Sequence, residues 1–159
     1  MDDVTIVEFD ELYASDFASL NYQWIEEYFV VEPHDKEMLD NPAEYIIEKG
    51  GQIFFAIVDG ETAGTVALIN EGDDRFELAK MAVSPAFRGR GIGDKLIEAC
   101  VRYAKRSGKS SIVLLSNTLL TPAINLYRKH GFLETPQNEG SPYERVNIRM
   151  ELAIGGRQM

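Results

Sequence analysis

The residues best suited to chemistry lie between positions 77 and 93. Arg88-Gly89-Arg90-Gly91-Ile92-Gly93 follows a strand-like run and opens a helix-like one. Three glycines let a backbone approach a ligand without Cβ interference. Their N–H groups, added to the positive end of a helix, make an anion site. Arg88 and Arg90 add charge for a phosphate. The spacing is not that of a nucleoside-triphosphate loop, which needs Gly-Lys-Ser/Thr after four variable residues. Nor is it the Gly-x-Gly-x-x-Gly of a dinucleotide fold, which sits in a repeating βαβ unit. Upstream, Glu77 stands within a mostly apolar strand. Burial there raises a carboxyl pKa towards values useful for proton transfer. Phe76-Glu77-Leu78 also fits plain alternation with a solvent-facing glutamate. Cys100 falls on an apolar helix face and reads as a buried, inert thiol. His34 and His130 have no companion at metal-ligand spacing, so no metal is expected.

Elements that could position these residues follow from periodicity and punctuation. Thr5 to Phe9 reads as a strand. A helical pattern runs from about Asp10 to Phe29, with Leu12, Phe17, Leu20, Trp24, Ile25 and Tyr28 near a helix period, and Pro33 is expected to end it. Asn41-Pro42 opens a short helix that Gly50-Gly51 closes. Ile53 to Val58 and Thr65 to Ile69 form a hairpin about Asp59-Gly60. Phe76 to Val83 is a strand stopped by Ser84-Pro85. Ile92 to Arg106 is a helix with Leu96, Ile97, Cys100, Val101 and Ala104 on one face. Ser111 to Leu115 is a strand, Thr121 to His130 a helix, and Gly131-Phe132 a break. Tyr143 to Leu152 alternates as a last strand. Mixed α/β architecture follows.

Composition bounds the function. The chain has 159 residues, 45% of them hydrophobic, enough for one domain with a real core, and a single domain over 1–159 is expected. Sixteen Lys and Arg against 26 Asp and Glu give a net charge of −10. That surface repels phosphate backbones and anionic lipids, so neither a nucleic acid nor a membrane is an expected partner. One cysteine and an acidic N-terminus without an apolar run suit a reducing, cytoplasmic location.

Two segments resemble one family, in order. Arg88 to Gly93 resembles the Arg/Gln-x-x-Gly-x-Gly/Ala pyrophosphate loop of the GNAT acyl-CoA N-acyltransferases. Pro122-Ala123-Ile124-Asn125-Leu126-Tyr127-Arg128-Lys129-His130-Gly131-Phe132 is similar to its Ala-x-x-Leu-Tyr-x-x-x-Gly-Phe segment. Glu77 to Pro85 looks like the family's fourth strand. The resemblance implies a mostly antiparallel, twisted sheet of six to seven strands with about four helices, splayed in the middle at the coenzyme A site. It implies acetyl-CoA as cosubstrate, held by Met81, Ala82, Val83 and residues 88–93. Glu77 stands where many members place a general base, and Tyr127 where their general acid lies near the cofactor sulfur. Many members carry an asparagine three residues before the alanine, where this chain has Leu120. Asn117 is expected to serve the cofactor instead.

The acceptor side is expected among Tyr28, Glu32, His34 and Tyr143, with Trp24 read as core. Aromatics beside carboxylates suit an alkylammonium, so a cationic small-molecule or peptidyl amine is the expected partner of a monomer or homodimer. The reading is an N-acetyltransferase working by direct attack in a ternary complex. The alternative is a non-catalytic acyl-CoA-binding sensor or partner module, and Glu77 with Tyr127 favours the enzyme.

Overall fold

The structure is a computed structural model and describes residues 3–72, 74–136 and 145–154. Its strands are β1 (Val4–Glu8), β2 (Gln52–Val58), β3 (Glu61–Asn70), β4 (Arg75–Val83), β5 (Ser111–Ser116), β6 (Leu133–Thr135) and β7 (Ile148–Ala153). Its helices are α1 (Ala14–Tyr28), α2 (Pro33–Asp40), α3 (Ile92–Arg106) and α4 (Thr121–Lys129). A 3-10 turn, Glu11–Tyr13, leads into α1, and Ala43–Ile47 forms a π-helical turn before β2. Asp59 and Gly60 take φ of 51° and 80°, the left-handed pair that lets a two-residue turn follow strand twist.

The strands form one mixed sheet in the order β1-β2-β3-β4-β5-β7-β6. Every pairing is antiparallel except β4 with β5. Alternation sends Phe54 to one face and Phe55 to the other, and helices cover both. Under α3 and α4 lie Phe54, Leu68, Phe76, Leu96, Ile97 and Ile112. Under α1, α2 and the π turn lie Phe17, Ile25, Leu39, Ile46, Ile53 and Phe55. A sheet covered on both faces explains why β2 reads as a continuous apolar run.

Two local features open the sheet. β4 and β5 pair only through Arg75–Ser111, Phe76–Ile112 and Glu77–Val113. Beyond Glu77 they part, although β4 runs on to Val83 and β5 to Ser116. On its other side β4 bulges: Ala79 pairs with Ala67 and Ala82 with Thr65, so Lys80 and Met81 share one partner position. Lys80 carries φ of 56°, a left-handed strain held by its surroundings. Such a bulge bends its strand, here at the place where β4 leaves β5.

Two expectations need correction. Pro33 does not merely stop α1, which ends at Tyr28; it is the first residue of a further helix, α2. At that position the missing N–H costs nothing, and Glu32 and Asp35 cap it reciprocally, Glu32 N donating to Asp35 Oδ2 at 2.8 Å. The break after Gly131 is followed by the short strand β6. The last strand begins at Ile148, not Tyr143, and Tyr143 lies outside the described residues.

Candidate active site

Where β4 and β5 part, a cavity of about 420 Å³ opens, floored by Glu77 to Val83 and walled by α1 and the start of α4. Its size suits a small-molecule site. Glu77 sits at the crotch as the last β4 residue joined to β5. Burial, then a hydrogen bond and charge repulsion from the Glu71 carboxyl, push its pKa up to about 8, while the Lys80 ammonium pulls back. The carboxyl is therefore mostly protonated at neutral pH and ionises within reach of it.

Tyr127 faces the same cavity from α4 and is 8% exposed. Its ring leans on Phe132 at 6.0 Å. No described residue bonds its hydroxyl, and no buried side-chain polar atom among them lacks a partner, so the hydroxyl opens onto the cavity. Burial raises its pKa to about 12, and it keeps its proton at neutral pH.

The glycine loop follows the cavity floor along the chain and adds Arg88 to the lining. Arg88 lines the cavity and reaches Glu27 at 3.4 Å, while Arg90 lies over the Phe87 ring. Gly89 and Gly91 have φ of 78° and 77°, with open space where a Cβ would stand. Gly91 is the residue before α3, and among the described residues no acceptor takes the N–H groups of residue 89 or of residues 91–94. Ile92 turns its side chain into the core, and Gly64 leaves room for it: a Cβ there would stand 2.9 Å from Ile92 Cγ2. The N–H groups of residue 89 and residues 91–94, beside Arg88, fit a pyrophosphate. Met81, Ala82 and Val83 line the floor below. Asn117 lines it too, but its amide is engaged within the protein, Nδ2 donating to Arg145 O at 2.7 Å and Oδ1 accepting from Leu119 N at 2.8 Å.

The acceptor side differs from expectation. Tyr28 lines the cavity, and so do Trp24 and Phe29, which also pack against the core. Glu32 and Asp35 do not line it. Asp35, wholly buried, accepts from Lys80 Nζ at 2.6 Å and from both terminal nitrogens of Arg145 at 2.7 and 3.1 Å; Glu32 takes Arg145 Nη1 at 3.3 Å. Burial alone would raise the Asp35 pKa, but these bonds outweigh it and hold it at about 2. The carboxylates expected to draw a cationic acceptor are thus neutralised by Lys80 and Arg145. His34 stands 3.3 Å from Glu37 and away from the cavity wall. His130 meets Asp94 at 2.8 Å and ties α4 to α3. Cys100 is buried and free, its thiol pKa pushed up by burial.

Sequence reasoning missed Lys80, Arg145 and Asn21. Lys80 carried a signal, a lysine inside an apolar strand beside Glu77. Arg145 pairs across 110 positions with Asp35, and nothing local announces such a contact. Asn21 interrupts the apolar face of α1, the only sign that this face meets something polar.

The fold and this geometry define an acyltransferase-like site, and the comparisons agree. The Acetyltransferase (GNAT) family matches residues 18–132, and the chain belongs to it. Among curated proteins it is 30% identical over 119 residues to N-acetylaspartate synthetase of Danio rerio, covering 69% of this chain and 42% of that protein. It is 27% identical over 107 residues to N-acetyltransferase 8 of Rattus norvegicus, covering 64% and 48%. The chain spans about half the length of the curated relatives it matches. An acetyltransferase of the GNAT family from Staphylococcus aureus Mu50 superposes with a TM-score of 0.87 at 21% identity, covering 96% of this chain and 99% of that one. The phosphinothricin acetyltransferase of Sinorhizobium meliloti, solved in complex with acetyl-CoA, gives 0.75 at 17%, covering 96% and 89%.

Proposed function

We propose that this chain transfers an acetyl group from acetyl-CoA to the primary amine of a small molecule or peptide, by direct attack within a ternary complex. The observation that carries the reading is the convergence of Glu77 and Tyr127 on one cavity that Arg88 of the glycine loop also lines. Relatives named for N-acetyl transfer support the same chemistry. Acetyl-CoA, when bound, supplies the acetyl group as a thioester. Residues 89–94 and Arg88 hold its pyrophosphate, and Met81 to Val83 lie along the floor.

An amine attacks only when neutral, so a base must take its proton. Glu77 does so in its ionised form, whose share grows as pH rises towards about 8. The N–C bond forms, the C–S bond breaks, and Tyr127 gives its hydroxyl proton to the departing thiolate. Neither step needs a covalent acetyl-protein, consistent with the buried, protonated Cys100. That unpaired thiol also supports a reducing, cytoplasmic setting.

The test is thiol release from acetyl-CoA across a panel of amines, amino acids and aminoglycosides, with calorimetry of CoA binding alongside. Release that depends on one class of amine is expected. Tight CoA binding with no amine-dependent release would overturn the reading in favour of a non-catalytic acyl-CoA module.

A further inference from the structure

The charges around the acceptor half of the cavity are ordered. Lys80 and Arg145 stand in the wall, and the carboxylates that balance them, Asp35 and Glu32, stand behind. The cavity wall thus carries the two cations and neither of the carboxylates bonded to them. Among the described residues, Glu77 is the only acid in the wall. An anionic substrate group entering here would meet Lys80 and Arg145 before the carboxylates behind them.

A second observation concerns Asn21 on α1. It is 1% exposed and lines the cavity. Its Nδ2 donates to Phe17 O at 3.0 Å, which fixes the amide orientation, since turning it would set oxygen against oxygen. The other end, Oδ1, has no partner among the described residues, and none of their fully buried side-chain polar atoms is left unsatisfied. Oδ1 therefore points into the cavity, where it accepts a hydrogen bond and cannot donate one. An acceptor-only amide suits a substrate N–H.

We propose that the acceptor is an amine that also carries a carboxylate, an amino acid or its derivative, with its amine between Asn21 Oδ1 and Glu77 and its carboxylate against Arg145 and Lys80. The proposal rests on the transferase reading and narrows its substrate class. Two-point recognition fixes the amine beside Glu77, and the aromatic rings of Trp24, Tyr28 and Phe29 bound the space left for a side chain.

The experiment compares matched pairs: each standard amino acid against the amine left when its α-carboxylate is removed, for example L-phenylalanine against 2-phenylethylamine, with thiol release as readout. The best amino acid should exceed its own amine at least ~10-fold in kcat/KM, the size of one charge-assisted contact. Arg145→Lys keeps the charge that Asp35 needs but loses the fork. It should lower kcat/KM ~10-fold more for the amino acid than for the bare amine. Asn21→Leu, of similar volume, should raise KM for both members of a pair. A thermal melt of each variant separates these effects from misfolding. Bare amines or polyamines outperforming amino acids would overturn the proposal and keep the transferase. So would equal losses for both pair members in a well-folded Arg145→Lys. No transfer to either class, with CoA still bound, would overturn the proposal together with the transferase reading.

Discussion

Phenylalanine at position 127 would keep the ring and its packing on Phe132 while deleting only the hydroxyl. That hydroxyl opens onto the cavity and bonds no described residue, so its removal leaves no buried partner stranded. Tyr127→Phe should therefore melt within a degree or two of the parent. Turnover should fall, towards the low end of the ~100- to 10,000-fold typical of general acids, because a thiolate leaves more readily than an alkoxide. The KM for acetyl-CoA should move less, since the loop holds the pyrophosphate. Calorimetric melting and steady-state kinetics on one preparation check both halves. Full turnover with a lowered melting temperature would make Tyr127 a packing residue only. Its place in the Leu126-Tyr127 to Gly131-Phe132 run was legible, because a motif fixes neighbours within one helix. Asn117 was legible only as a polar residue after a strand, and its bonds to Arg145 and Leu119 depend on where distant chain returns.

At the level of elements, α3 follows the sequence from Ile92 to Arg106, because a strong apolar stripe stands between glycines at both ends. The helix α2 escaped because proline both stops and starts helices, and only Met38 and Leu39 mark its buried side. The loop and α2 each give a prediction. Gly91 takes φ of 77°, and a Cβ there meets nothing within 4 Å. Gly91→Asp should cost about 1 kcal/mol of backbone strain and keep the fold, but set a negative side chain where the pyrophosphate binds. Calorimetry should find no CoA binding in the folded variant; undiminished affinity would remove the loop from the cofactor site. For α2, Asp35 is the pin. Its pKa lies below the ordinary 3.8, at about 2, so the stability it contributes is present above pH 4 and is lost as pH falls through about 2. Asp35→Asn leaves Lys80 and Arg145 buried without their shared carboxylate, a change worth about 3–5 kcal/mol. Its melting temperature at pH 7 should drop by about 10 °C, and an unchanged one would mean that the pairs are dispensable.

Across the whole molecule, the order of elements was readable while the event that makes the site was not. The hairpin, the glycine loop and the late strand-helix alternation each have local signals. The splay depends on β4 bulging at Lys80, a non-glycine residue at positive φ, where no residue type announces the conformation. Once β4 bends away, Glu77 is left half-buried at the base of the gap beside Glu71, and its pKa rises to about 8. The raised value means that folding disfavours the charged form, so Glu77 costs stability progressively as pH climbs from about 4.5 through 8. The same shift lets Glu77 take an amine's proton near neutrality. The account thus turns on one residue placed by the whole sheet, and the pH dependence of acetyl transfer by the parent and by Glu77→Gln tests it most directly. The account predicts that Glu77→Gln slows transfer ~100-fold or more at pH 7, with the deficit shrinking as rising pH delivers the amine already neutral. A Glu77→Gln variant with the parent's rate and pH profile would contradict it and make Glu77 a structural residue of the strand.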